Sequence, residues 1–157
     1  MSKHRELLEE FSKHAQTAPD VTALMTHISQ RLHDQLARYN WVGFYLIDKN
    51  DPGMLVVGPY VGSFSPNTRI PLDQGLCGAA ATTRRMVVVN DVTQDVRYLA
   101  GSEIVKANLV APIFAGKELV AELDIESYFA NTFTKEEQAF AEAIAALVGK
   151  FMGSGQR

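Results

Sequence analysis

Ten residues, E-L-V-A-E-L-D-I-E-S from Glu118 to Ser127, restrict the fold of this chain more than any other stretch. Side chains alternate across a strand, so Leu119, Ala121, Leu123 and Ile125 share one face, while Glu122, Asp124 and Glu126 share the other. The first face must lie on an apolar core. Along the second, carboxylates two residues apart stand roughly 7 Å from each other. Solvated, they are an ordinary acidic surface. Partly buried, they repel until one takes a proton or a cation sits between them. The alternation alone leaves both readings open.

The flanking segments say what covers each face. Residues 5–15 place Leu7, Leu8 and Phe11 at helical spacing, and Pro19 marks the break. Asp20 then caps a second helix whose stripe is Val21, Leu24, Met25, Ile28, Leu32 and Leu36, ending near Tyr39 and Asn40. W-V-G-F-Y-L-I-D, residues 41–48, is aromatic and β-branched and reads as a strand. Asn50, Asp51, Pro52 and Gly53 make a turn, and residues 54–60 return antiparallel. A loop at 62–67 leads into T-R-I-P-L-D-Q-G-L-C-G-A-A-A-T-T at 68–83: a short strand that Pro71 ends, a turn, and a small alanine-rich helix. Residues 86–89, 107–114 and 118–127 are further strands, the last two joined through Ala115, Gly116 and Lys117. Residues 92–106 are polar and irregular, with a helical turn near Gly101. Thr134 and Glu137 have capping-box spacing for a final helix with Ala139, Phe140, Ala143, Ile144, Leu147, Val148 and Phe151 on its apolar face.

These elements predict an α+β domain with one antiparallel sheet and the terminal helices on one face. Residues 63–83 and 92–106 then cover the other face and enclose a pocket. One domain spans 1–157, with N-terminal helices in 3–39, a core in 40–152 and a frayed tail at 153–157.

Several function classes drop out. A net charge of −3 offers no basic footprint for nucleic acid. No apolar run is long enough to cross a membrane, and M-S-K-H-R-E is too charged for a signal peptide. The lone cysteine rules out an internal disulfide and fits a reducing, cytoplasmic setting. His4, His14, His27 and His33 lie in the first two helices with no cysteine or acid at ligand spacing, so no metal is expected. Ser63, Ser65 and Ser102 lack a histidine nearby in sequence, and Gly58-x-x-x-Gly62 lacks the Lys-Ser/Thr of a phosphate loop.

Two features can carry chemistry. Cys77 sits at the entrance of the small helix, flanked by Gly75 and Gly78, where free N–H groups and the helix dipole favour an anion or a thiolate. A buried cysteine that merely fills space is the other reading. Trp41, Gly43 and Tyr45 share one face of their strand, and an aromatic pair beside acids can hold an ammonium group with an apolar or sulfur-containing tail. Periodicity does not say whether Trp41 and Glu126 face the same way, so a plain core tryptophan also fits.

Five motifs occur in order: N-W-V-G-F-Y (40–45), T-R-I-P-L-D-Q-G-L-C-G-A-A-A (68–81), V-V-N-D-V (88–92), V-A-P-I-F (110–114) and L-D-I-E-S (123–127). Together they resemble the free methionine-(R)-sulfoxide reductases, stand-alone GAF domains, over nearly the whole chain. The resemblance implies a six-stranded antiparallel sheet, a closed pocket and a homodimer. It places Trp41 and Tyr45 around the sulfoxide end of a substrate, and Asp124 and Glu126 at the acidic positions, with glutamate at 126 where the family commonly has aspartate.

That family attacks sulfur with one cysteine, resolves with a second and is recycled by a thioredoxin-type donor. Cys77 takes a resolving or accessory position; the other two cysteine positions fall at Asn67 and Gly101. Asn108 stands where the family usually has glutamate and Glu122 where it has an apolar residue, and both join the candidate ligand-binding set. A glycine cannot attack a sulfoxide. The sequence is therefore read as a GAF domain that binds a methionine-like or methionine-sulfoxide-like ligand without reductase turnover and without a cofactor. Two alternatives stand beside it. One is an altered reductase using Cys77 and an external thiol such as thioredoxin. The other is a dimeric scaffold with no ligand.

Overall fold

The computed structural model describes residues 2–95, 97 and 104–155. Its first two helices open alike, on a side-chain oxygen that accepts an otherwise unpaired first-turn N–H. Ser2 accepts from the Arg5 N–H (3.2 Å) to start α1 (Lys3–Thr17), and Asp20 accepts from the Ala23 N–H (2.9 Å) to start α2 (Val21–Gln35). α2 stops at Gln35, short of the expected Tyr39 and Asn40. The chain has to leave the helix there because the Asn40 N–H already pairs with the Glu126 carbonyl (3.0 Å), which fixes the start of the first strand.

β1 (Trp41–Asp48) and β2 (Asp51–Gly62) are joined by Lys49 and Asn50 alone. Asp51, Pro52 and Gly53 belong to the strand rather than the turn. Pairing on the far side draws them out: the Gly53 carbonyl accepts the Leu72 N–H (3.0 Å), just beyond β3 (Arg69–Pro71). α3 (Gly75–Thr83), β4 (Val87–Val89) and a 3-10 turn (Val92–Gln94) follow. The helical turn expected near Gly101 lies outside the described residues. β5 (Ala107–Ala115) and β6 (Glu118–Ser127) form a hairpin through Gly116, whose φ of 65° suits glycine.

The strands make one six-stranded antiparallel sheet in the order β3-β2-β1-β6-β5-β4. Pro112 is tolerated in β5 because β4 pairs only with Asn108, Leu109 and Val110, so no neighbour on that side needs its missing N–H.

Helices α1, α2 and α4 (Lys135–Gly153) cover one face, burying Phe11, Leu24, Ile28, Phe44, Leu123, Ile125, Phe140 and Ile144 in a common core. The buried stripe of α4 is rotated from the expected one. Ala141, Ala145, Gly149 and Met152 are inside, Ala139 is exposed, and Ala143 and Leu147 are half-buried. Gly149 explains the rotation: a Cβ there would collide with the Phe114 carbonyl, so helix and strand meet at their backbones. The helix also runs through Gly153, one residue into the segment expected to fray.

Only half of the capping box forms. Thr134 accepts the Glu137 N–H (3.4 Å), but the Glu137 carboxylate accepts from the Tyr39 hydroxyl (2.7 Å) and lies 3.1 Å from His4 Nε2. A tertiary partner has won over the local one. On the opposite face of the sheet, α3 and the β2–β3 loop close over Trp41, Tyr45, Leu55, Ile70 and Val110. Among the described residues, no helix is long and apolar enough to cross a membrane.

Candidate functional site

The register of β6 decides what periodicity left open. Glu126 pairs with Trp41 on β1 and Asn108 on β5, Asp124 with Gly43 and Val110, and Glu122 with Tyr45 and Pro112. Paired residues project to the same side of a sheet, so the acids share a face with Trp41, Tyr45 and Asn108. That face is the one closed over by α3. Glu122, Asp124 and Glu126 are only 0%, 5% and 6% exposed, so the solvated-surface reading of these acids fails.

Each neighbouring side chain has a definite task. Asn108 Nδ2 donates to Asp124 Oδ1 (2.6 Å) and to the Ile125 carbonyl (3.0 Å). The Tyr45 hydroxyl donates to the Asn67 carbonyl (3.1 Å), tying the sheet to the β2–β3 loop. Trp41 is fully buried, donates from Nε1 to the Phe64 carbonyl (3.3 Å), and stacks between Tyr60 and Phe64 at centroid distances of 5.3 and 5.8 Å. Both carboxyl oxygens of Glu122 are buried without a hydrogen-bond partner. The Cys77 thiol lies close enough to Glu122 for each to perturb the other's titration, but not in hydrogen-bond geometry.

Between sheet and cover is a cavity of about 30 Å³. Tyr45, Asn108, Asp124 and Glu126 wall it from the sheet; Cys77 and Leu76 wall it from α3. Phe64, Pro66, Asn67, Ile70 and Gly75 complete it, residues that the sequence reading assigned to the cover but did not single out as binding. A six-residue loop forced across an acidic face was the available signal. Trp41 and Glu122 share the face but do not line the cavity, Trp41 because its ring is consumed by stacking. At this volume the cavity holds about one water, against roughly 300 Å³ or more for an ordinary ligand site. The cup is closed.

Burial without counter-charge controls the titration. None of the described residues lining the cavity is lysine, arginine or histidine. Burial, and then the neighbouring Asp124, push Glu122 well above the usual carboxyl range. Burial raises Asp124 to about 7, and the Asn108 amide holds it from rising further. The Cys77 thiol is pushed up by burial and then by Asp124, Glu122 and Glu126. The thiolate that the helix entrance was expected to favour is therefore disfavoured; three acids and desolvation outweigh one helix dipole. Gln74 gives α3 no side-chain cap, so the first-turn N–H groups of Gly75, Leu76 and Cys77 have no partner within the helix. All three residues line the cavity.

A larger concavity of about 790 Å³ lies between β5 and α4, floored by Ala111, Phe114 and Ala145. It is an open groove in which Arg84 already lies over the Phe114 ring (4.5 Å) and donates to the Lys117 carbonyl. Its charged lining residues, Arg84, Arg85, Glu142 and Lys150, surround an apolar floor, whereas the small acidic cup buries its polar groups together. Among the described residues no three His, Cys, Asp or Glu side chains are placed to hold a metal. Gly101, the expected position of an attacking cysteine, lies outside the described residues.

The GAF domain family matches residues 20–151 of the chain. The free methionine-R-sulfoxide reductase of Escherichia coli K12 is 30% identical over 126 residues, which cover 80% of this chain and 74% of that protein. Among solved structures, the free methionine-R-sulfoxide reductase of Neisseria meningitidis in complex with its substrate superposes with a TM-score of 0.90 at 28% identity, covering 98% of this chain and 90% of that one. The fRMsr of Staphylococcus aureus in its reduced form gives 0.88 at 29% identity, covering 97% and 96%.

Proposed function

The chain belongs to the GAF domain family, and we propose that it is a receptor for a small amino acid of the methionine or methionine-sulfoxide kind, without a reductase cycle. The observation that carries this reading is the buried row Glu122, Asp124 and Glu126, set beside aromatic side chains in a cup whose described lining residues include no lysine, arginine or histidine. An ammonium group fits beside Asp124 and Glu126, where it supplies the missing positive charge. A carboxylate fits at the uncapped first turn of α3, where backbone N–H groups and the helix dipole favour an anion. A zwitterion is matched at both ends, and Tyr45, Phe64 and Leu76 provide the apolar contacts between them. Because the cup holds about one water, the β2–β3 loop has to lift for a ligand to enter.

The reductase cycle is left out because the sequence has a single cysteine, Cys77, whose thiol is pushed up by burial, and residue 101 is glycine. What favours the competing reading, turnover by Cys77 with an external thiol or thioredoxin, is that Cys77 lines the cavity. The test is calorimetry with L-methionine and both sulfoxide epimers, run alongside a turnover assay on the (R)-epimer with dithiothreitol or thioredoxin. Binding without turnover supports the receptor reading. Turnover that disappears in Cys77→Ala replaces it with the reductase. A homodimer, the state implied by the family resemblance, is proposed with it and is checked by light scattering during size exclusion.

A further inference from the structure

Among the described residues, Glu122 is the one carboxylic acid with both side-chain oxygens buried and unpartnered. It is fully buried, and it does not line the cavity. The groups facing it are uniformly unable to neutralise it. From β6 there is Asp124, with Glu126 one step further; from β1, Tyr45; from β5, Pro112 and Asn108; from α3, the Cys77 thiol. None of these is a cation. A buried carboxylate in such surroundings costs several kcal/mol, and the inexpensive remedy is a proton.

We propose that Glu122 makes the cup a proton-coupled receptor: when it is empty Glu122 and Asp124 hold protons in place of counter-ions, and a cationic group arriving beside Asp124 displaces the proton there. This rests on the ligand-binding reading above. Glu122 acts here through Asp124 as a positioning residue, since its own carboxyl stays beneath the cavity. Its negative form and that of Asp124 exclude each other, so the proton kept on Glu122 leaves Asp124 free to ionise when the ligand arrives. The burial-raised titration of Asp124, near 7, puts the exchange within the neutral range. The balance closes: a neutral zwitterion enters, one proton leaves from Asp124 to solvent, the ammonium offsets the new Asp124 carboxylate, and the one extra negative charge is the ligand carboxylate at the first turn of α3.

Two measurements test this on the whole chain. The infrared spectrum of the ligand-free protein at about pH 7, minus that of Glu122→Gln, should contain the carbonyl stretch of a protonated carboxyl. No such band overturns the proposal. If Glu122→Gln does not fold, carbon-13 labelling of glutamate in the unaltered protein gives the same answer: one side-chain carboxyl keeps its protonated shift through neutral pH, or none does and the proposal falls. The second measurement is calorimetry with free L-methionine-(R)-sulfoxide in phosphate and in Tris. Release of one proton makes the two heats differ, and Kd rises about tenfold for each pH unit below neutrality. Asp124→Asn should flatten that slope, whereas Glu122→Gln, as uncharged as the protonated acid, should keep it. Equal heats in both buffers sink the coupling alone, whereas no heat in either sinks the ligand reading and the coupling with it.

Discussion

Replacing Glu122 by methionine should stabilise the protein, by an amount that grows with pH. Methionine keeps the unbranched length of glutamate and brings no polar atom that needs a partner, so it fits the space between Tyr45, Pro112 and Cys77 with little repacking. The sign follows from linkage. In the unfolded chain Glu122 titrates near its ordinary value, while in the fold burial and Asp124 raise it. Above the ordinary value the folded state binds the extra proton, so its stability declines as pH rises towards the raised folded value. Each pH unit in that window costs up to about 1.4 kcal/mol per group. Asp124 adds a second term between its ordinary 3.8 and about 7. Removing Glu122 abolishes its own term and leaves the Asp124 term, set by burial and the Asn108 amide, in place. Substituting buried charges with apolar side chains of similar volume typically gains about 1–4 kcal/mol. Urea unfolding at about pH 5 and about pH 8 should then give a small gain at the lower pH and one of roughly that size at the higher. A variant less stable than the parent at the higher pH, or a gain that does not change with pH, would refute the argument.

Three further outcomes are expected. Asp124→Asn should weaken binding of the methionine-class ligand by about 1.5–3 kcal/mol in calorimetry, the usual loss for a charged hydrogen-bond partner; an unchanged affinity removes Asp124 from the site. The native Cys77 thiol should react with iodoacetamide at neutral pH at least about tenfold more slowly than in urea-unfolded protein, since burial and three acids keep it protonated; equal rates would show a reactive thiolate. Gly62→Ala should cost about 1–3 kcal/mol in thermal or urea unfolding, because its Cβ would drive into the Trp41 ring; a neutral effect would mean the stack beside it has room to yield.

What the sequence made legible followed the range of each physical signal. Strand alternation depends on one residue and its next neighbours, so the two faces of Glu118–Ser127 could be read directly, and the bounds match the strand observed. Register depends on pairs far apart in the chain. Whether Trp41 lies beside Glu126 therefore had to wait for the β1–β6 ladder. The same limit explains α2, whose apolar stripe reaches Leu36 but whose end is set by Asn40 pairing with Glu126. It explains Glu137 too, where local capping geometry lost to Tyr39 and His4. At Cys77 the helix dipole was visible from sequence and the three acids across the sheet were not, so periodicity left thiolate and space-filling readings open, and burial favours the second. The closed cup is likewise a matter of loop packing. Nothing in Phe64, Pro66 or Asn67 taken singly announces that they roof an acidic pocket.

The indole sandwiched between Tyr60 and Phe64 is the only one in the chain. Its ring nitrogen is tied to the carbonyl of Phe64, a residue of the roof that the receptor reading requires to lift. Emission excited at the red edge thus comes from a single position attached to the moving part. Opening would break the stack and wet the chromophore, shifting its spectrum to longer wavelength. The protein carries its own optical gauge of occupancy, usable without a dye or a label.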